Sequence, residues 1–179
     1  MILEASEFVF RAPPVVSRAR RVLIKPSASY PLPYPQTTSP HMLSAIIAGI
    51  RRISDADILI LEGTPGGGAV HPIYQALGYN FPRVLMLDVK DCILVEVDNP
   101  LPKPFVMPTF WVPNVILSSD YLISISPLKT FDSMGVLSIM NLLNCSPSSS
   151  KSRDWLPLAR KRRNTLSMIG NWSVMKSGD

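Results

Sequence analysis

Short and almost uninterrupted apolar runs set the strongest limit on how this chain can fold. Five of them, each three to five residues long, occupy 22–24, 57–61, 84–87, 93–97 and 121–125. Runs this short and rich in valine, isoleucine and leucine fit strands that are covered on both faces, as in a parallel sheet. Helical patterns alternate with them, which is typical of the α/β class. We therefore predict an α/β fold with a mostly parallel sheet and covering helices.

The best-marked helix follows the first run. Ser39 suits the N-cap and Pro40 the first helical position, and apolar residues recur at helical spacing from 43 to 53. A shorter helix is predicted over about 72–77, where Gly78 ends it. The apolar stretch 134–143 is interpreted as a buried helix.

Proline divides these elements, since the chain has 18 prolines in 179 residues, about twice the usual ~5%. Two stretches, 26–40 and 100–113, hold five prolines each, and we predict both to be proline-rich loops. The low-complexity stretch 144–152 is interpreted as a linker. We expect an N-terminal segment 1–19, an α/β domain 20–145, and a flexible basic linker and tail 146–179.

The net charge of +5 comes from the tail. Residues 151–179 hold seven basic and two acidic side chains, whereas residues 1–150 hold eleven of each. The excess charge therefore carries no information about the partners of the main domain. We do not expect nucleic-acid binding, because no interleaved aromatic residues accompany the basic run 160–163.

Several classes of protein are disfavoured by composition. No apolar stretch reaches the ~18 residues that span a bilayer, and acidic Glu4 and Glu7 stand where a signal peptide carries basic residues. We expect a cytoplasmic protein without a transmembrane segment. Two cysteines and two histidines without ligand spacing predict no metal site, and they provide too few ligands for an iron–sulfur cluster. No cofactor is evident.

Candidate site residues lie where predicted strands end, because ligands of open parallel sheets bind beyond the carboxyl ends of the strands. These positions hold Lys25, Glu62 and the pair Lys129-Thr130. Glycine amides at Gly66 and Gly67, after Glu62, would let an anion approach closely. Each feature also has a structural interpretation: the lysines as solvated loop residues, Glu62 as the end of a strand, and the glycines as a plain turn.

The order of these motifs is similar to that of a known family. Lysine-proline at Lys25-Pro26 and the Thr37-Thr38-Ser39-Pro40 opening of the helix resemble the beginning of the domain of unknown function 362 family. Glu62-Gly63 resembles its acidic-glycine element. The block from Asp120 through Pro127, Lys129 and Thr130 to Asn141 is similar to its most specific region. The resemblance covers roughly residues 20–145.

The resemblance implies a set of ligand-binding residues and a redox partnership. The residues implied by the resemblance are Lys25, Thr37, Thr38, Glu62, Lys129, Thr130 and Asn141, and the glycine loop adds Gly66 and Gly67 to the candidate ligand-binding residues. Relatives fused to iron–sulfur clusters imply a redox-protein partner. The chain departs from the family pattern at Ser27, Phe131 and Met140, so we expect a diverged or truncated member.

Three hypotheses about function stay open at this point. The first is a domain, enzymatic or not, that binds a small anionic molecule, with Lys129 and Glu62 as candidate catalytic residues. The second is a non-catalytic interaction protein that kept the scaffold. The third is weak nucleic-acid or membrane-surface binding through the tail. Self-association is also predicted, through partly uncovered apolar residues of the last predicted helix: Ile139, Met140, Leu142 and Leu143.

Overall fold

The computed structural model describes residues 8–99, 108–127, 129–131, 134–136 and 141, with the backbone alone described at 129–131 and 134–136. Its helices are α1 (Pro40–Arg51), α2 (His71–Ala76) and α3 (Asn114–Leu117). Its strands are β1 (Arg21–Lys25), β2 (Asp57–Glu62), β3 (Val84–Asp88), β4 (Leu94–Asp98), β5 (Thr109–Pro113), β6 (Tyr121–Ser124), β7 (Lys129–Phe131) and β8 (Met134–Val136). Short 3-10 helices cover Pro14–Arg18 and Val89–Asp91.

Four parallel strands form the central sheet, in the order β3-β2-β1-β6. The chain moves outward from β1 through β2 to β3 and then returns to pair β6 on the other side of β1. The strand order therefore reverses beside β1, and such a switch point is where sheets of this class bind ligands. The predicted α/β class with a mostly parallel sheet is confirmed.

The two faces of this sheet are covered differently. Alternate residues such as Ile24 and Ile60 pack with α1 and α2 in the larger core, whereas Leu23 and Leu61 pack with Val89 and the α3 region in a smaller one. Successive right-handed crossovers in one direction place both helices on one face. In the part of the chain that the structure describes, the second face is covered by α3 and β5 rather than by a long helix.

Helix α1 begins and ends as the sequence predicts. The Ser39 hydroxyl accepts a hydrogen bond from the His41 backbone N–H, and Pro40 occupies the first turn. Its buried residues, including Leu43, Ile46 and Ile50, face the larger core. Because α1 runs back against the strands, its N-terminus lies at the same edge as the carboxyl ends of β1 and β2.

Three local predictions were wrong. The run 93–97 does not join the parallel sheet, because β4 pairs antiparallel with β5 in a separate hairpin. That hairpin also places a strand inside the second proline-rich stretch, which we predicted to be a loop. Residues 134–136 form strand β8, paired with β7, and not the start of a helix. Apolar runs of this length do not by themselves distinguish these states.

Some expectations fall outside the described residues. They concern the flexible linker and tail 146–179 and the partly uncovered side chains of Ile139, Met140, Leu142 and Leu143.

Candidate functional site

A fully buried ion pair lies at the carboxyl ends of the two central strands. Lys25 ends β1 and Glu62 ends β2, and the Lys25 Nζ is 2.5 Å from the Glu62 Oε1. Both side chains are 0% exposed. The parallel register of β1 and β2 brings the two strand ends together. The pair therefore stands beside the point where the strand order reverses.

Protein groups occupy the remaining hydrogen-bonding positions of this pair. The Lys25 ammonium also donates to the Pro26 carbonyl at 2.8 Å and to Asn141 Oδ1 at 3.2 Å. The Glu62 carboxylate accepts from the backbone N–H of Ala28 at 2.7 Å and of Gly63 at 3.0 Å. All three donors of the ammonium thus have acceptors, and the charges of the pair cancel locally.

Asn141 joins the ends of β1 and β6. Its amide Nδ2 lies within hydrogen-bond distance of the carbonyls of Lys25, Pro26 and Ile125, at 2.9 to 3.2 Å. The side chain is buried and lies 116 positions from Lys25 in the sequence. Asn141 is therefore in contact with Lys25, which in turn contacts Glu62.

Thr38 links the same loops from the start of α1. Its hydroxyl accepts from the Ser27 N–H at 2.9 Å and donates to the Ile125 carbonyl at 3.2 Å. Its own carbonyl accepts a hydrogen bond from the Tyr79 hydroxyl. Thr37, also buried, donates to the Leu32 carbonyl at 2.6 Å and so closes the proline-rich loop.

Tyr79 is a site neighbour that sequence reasoning missed. Burial first, and then the nearby Glu62 carboxylate, raise the pKa of Tyr79 well above its ordinary value. The phenol is therefore a hydrogen-bond donor at neutral pH. No local pattern marks this residue, because its contact with Thr38 spans 41 positions.

Asp88 is a second residue that sequence reasoning missed. It ends β3 in register with Glu62, is 2% exposed, and accepts hydrogen bonds from the N–H groups of Val70 and Lys90. An acidic residue after an apolar run was the signal that identified Glu62, and the same signal was present here.

The glycine loop after β2 lies in solvent. Gly66, Gly67 and Gly68 are exposed, and Gly67 has a φ of 73° that favours glycine. A Cβ at Gly66 would meet nothing within 4 Å, and one at Gly68 would meet only the Thr64 hydroxyl at 3.6 Å. The internal packing of the described residues therefore gives no steric reason for glycine at 66 or 68.

Lys129 and Thr130 follow β6 in the chain. Their backbone belongs to strand β7, which pairs with β8 in a small antiparallel sheet. Their side chains lie outside the described part of the structure, so the shared site of Lys25, Glu62 and Lys129 stays a prediction.

The described residues include neither an activated cysteine nor a cluster of metal ligands. Burial, and then the carboxylates of Asp88 and Asp91, raise the pKa of the Cys92 thiol, which disfavours the reactive thiolate. Within the described ranges, His, Cys, Asp and Glu form no group of three or more that could hold a metal ion.

One comparison with known proteins found a match. The family model for a domain of unknown function, DUF362, matches residues 22–164, which is most of the chain. Comparisons with curated proteins and with solved structures found no match. No helix within the described residues combines the length and apolar character needed to cross a membrane.

Proposed function

Because the chain belongs to the DUF362 family, which has no assigned function, we propose a function from its geometry: the domain binds a small anionic molecule at the carboxyl edge of its sheet. The observation that carries the proposal is the buried Lys25–Glu62 pair beside the switch point. Removing two charges from water is expensive, and a buried pair is weak support for stability when apolar residues would fit. The pair lies at the carboxyl ends of parallel strands, which is where sheets of this class bind ligands.

The anion would be held mainly by backbone N–H groups. Because Glu62 already neutralises the charge of Lys25, the attraction for the anion must come from the dipoles of peptide N–H groups at this edge of the sheet. The exposed glycine loop lies at this edge. The N-terminus of α1 lies there too, but Pro40 has no N–H and the His41 N–H already donates to Ser39, so the donors must come mainly from the glycine loop. Peptide N–H groups in glycine loops bind phosphate and carboxylate groups in this way.

Ligand-induced thermal stabilisation tests the proposal. The full chain is melted with inorganic phosphate, pyrophosphate, citrate and adenosine triphosphate, since a ligand that binds only the folded state raises Tm. We expect at least one anion to raise Tm in a saturable way. The result against the proposal is a chain whose Tm no anion raises beyond the effect of sodium chloride at equal ionic strength.

Matched glycine variants locate the ligand. The variant Gly66→Ala/Gly68→Ala adds methyl groups where the fold has room, so its Tm without ligand should be unchanged. We expect it to weaken the anion-induced rise. The control Gly78→Ala, at a φ of +70°, should lower the starting Tm and leave that rise intact. A full rise in the double variant would remove the glycine loop from the site.

A second candidate is a non-catalytic interaction protein, and the saturation of the Lys25 ammonium favours it. Beside the site, the proline-rich loop exposes Tyr30, Leu32 and Tyr34. Exposed aromatic residues on a rigid loop are typical of interaction surfaces. Sedimentation velocity over a concentration series should show self-association that Tyr30→Ser/Tyr34→Ser weakens. A monomeric wild type would leave this candidate without support. The implied redox partnership and the tail-mediated binding stay predictions.

A further inference from the structure

Six arginines lie at the amino-terminal edge of the sheet, opposite the Lys25–Glu62 pair. They lie at or just before the start of β1, at the end of α1, and directly before β3. Four are exposed, and two are half-buried. We call them the arginine edge: Arg18, Arg20, Arg21, Arg51, Arg52 and Arg83.

Hydrogen bonds hold these segments together as one surface. The Arg51 guanidinium donates to the carbonyls of Ala56 at 2.6 Å and Arg83 at 2.9 Å, which joins the end of α1 to the starts of β2 and β3. The Asp57 N–H donates to the Arg20 carbonyl at 2.8 Å and joins β2 to β1. At ~4.8 Å between neighbouring strands, the edge extends over about 10 Å from β3 to β1.

The described residues at this edge do not neutralise its charge. Three acidic residues lie there, which leaves an excess of three positive charges. Asp120 accepts from the backbone N–H groups of Arg20 and Arg21, and Asp55 contacts Arg83 at 3.9 Å with both side chains largely exposed. The third acid, Asp57, is exposed at the start of β2.

Exposed aliphatic residues interrupt the charges. Val15 lies in the 3-10 helix that ends at Arg18 and is 59% exposed, and Ile53 directly follows Arg52 and is 39% exposed. The connecting segments 14–20, 52–56 and 118–120 contain no aromatic residue. Before β3, Tyr79 is buried in the larger core and Phe81 is half-buried against it, so neither offers an exposed ring on which a base could stack. Guanidinium groups with nearby aliphatic side chains suit the phosphates and the acyl boundary of a lipid surface.

We propose that the arginine edge docks the domain onto a membrane surface that contains anionic phospholipids. The arginines bind headgroup phosphates, and Val15 and Ile53 insert at the boundary with the acyl chains. This surface is separate from the carboxyl edge, so the proposal is independent of the proposed small-anion site. It also differs from binding through the tail.

Vesicle co-sedimentation of the full chain tests this inference. Vesicles of phosphatidylcholine with about one third phosphatidylserine are compared with phosphatidylcholine alone at ~0.15 M salt. We expect binding to the anionic vesicles only, and a loss of that binding as salt rises. Arg18→Gln/Arg20→Gln removes two exposed side chains that form no ion pair in the described part, and should lower the partition coefficient about 30-fold.

Two further variants distinguish docking by the arginine edge from binding through the tail and from attraction by charge alone. Arg162→Gln/Arg163→Gln removes the same charge from the tail and should bind like the wild type. Val15→Ser/Ile53→Ser should weaken vesicle binding and leave retention on heparin unchanged. The inference is overturned if Arg162→Gln/Arg163→Gln lowers vesicle binding more than Arg18→Gln/Arg20→Gln does, or if the latter variant binds like the wild type. It is equally overturned if the wild type does not bind anionic vesicles. It is also overturned if a duplex oligonucleotide is bound through this edge while vesicles are not. Equal melting temperatures confirm that each variant folds.

Discussion

Replacing Glu62 by glutamine should strongly destabilise the fold. The carboxylate now accepts from three donors, the Lys25 ammonium and the N–H groups of Ala28 and Gly63. A glutamine has a single acceptor oxygen, so in either orientation its NH2 group faces a donor. The buried Lys25 charge also loses its counter-charge. Breaking a buried pair from one side costs about 3–5 kcal/mol, a large part of the ~5–15 kcal/mol that stabilises a domain.

Urea denaturation followed by circular dichroism measures this loss. A free energy of unfolding lower by ~4 kcal/mol corresponds to a fall in Tm of roughly 8–16 °C for a chain of this size. The control is Asp55→Asn, which removes one partner of an ion pair whose side chains are 71% and 96% exposed. Surface pairs of this kind contribute at most ~1 kcal/mol. A loss below ~1 kcal/mol for Glu62→Gln would refute the reasoning.

A second substitution separates charge from hydrogen bonding. In Lys25→Met/Glu62→Gln the uncompensated ammonium is gone, and the methionine fills most of the volume of the lysine stem. We expect the double variant to be more stable than Glu62→Gln alone, because an unpaired buried charge is the larger penalty. A double variant less stable than the single one would show that the hydrogen bonds of Lys25 to Pro26 and Asn141 outweigh the charge.

Three further predictions concern other positions. Thr38→Val removes the hydroxyl that accepts from the Ser27 N–H and donates to the Ile125 carbonyl. It should lower the free energy of unfolding by about 1–3 kcal/mol in urea, and a neutral result would mean that water replaces the hydroxyl. The pKa of Tyr79 is raised in the folded state, so its contribution to stability is present below the ordinary value near 10 and is lost as pH rises beyond it. Tyr79→Phe should therefore show a smaller loss of stability in alkaline melts up to pH ~11. An unchanged dependence on pH would contradict this prediction. The pKa of Asp120 is lowered, first by the hydrogen bonds from the backbone N–H groups of Arg20 and Arg21. Its contribution to stability is therefore present above the ordinary pKa and is lost as pH falls. Asp120→Asn should lose less stability in acid than the wild type does, and a curve of stability against pH parallel to that of the wild type would contradict this.

The central sheet and α1 could be predicted because their signals are local. Runs such as 57–61 are apolar on both faces, so each run specifies a buried strand without reference to its partners. Ser39 and Pro40 likewise place the start of α1 by chemistry within one turn. These predictions needed no knowledge of distant contacts.

The wrong predictions concern elements whose partners decide their state. The run 93–97 has strand character, but only the presence of β5 decided that it pairs in a hairpin instead of the parallel sheet. Residues 134–136 are apolar enough for a buried helix, and their pairing with β7 makes them a strand. Propensity is weak when tertiary pairing competes with it.

The sequence by itself determined that strands would end at Lys25 and Glu62, and hence that both groups would lie at one edge of a sheet. Only the tertiary structure decided that the two groups form an ion pair, that Asn141 accepts a hydrogen bond from Lys25, and that the Tyr79 hydroxyl donates to the Thr38 carbonyl. Local pattern places a residue along one element, whereas these contacts depend on strand order, register and crossover direction. Those properties follow from the packing of the whole chain. The buried charges of Lys25 and Glu62 depend on them, since a buried charge is stable only where groups from several distant segments pair with it and hydrogen-bond to it.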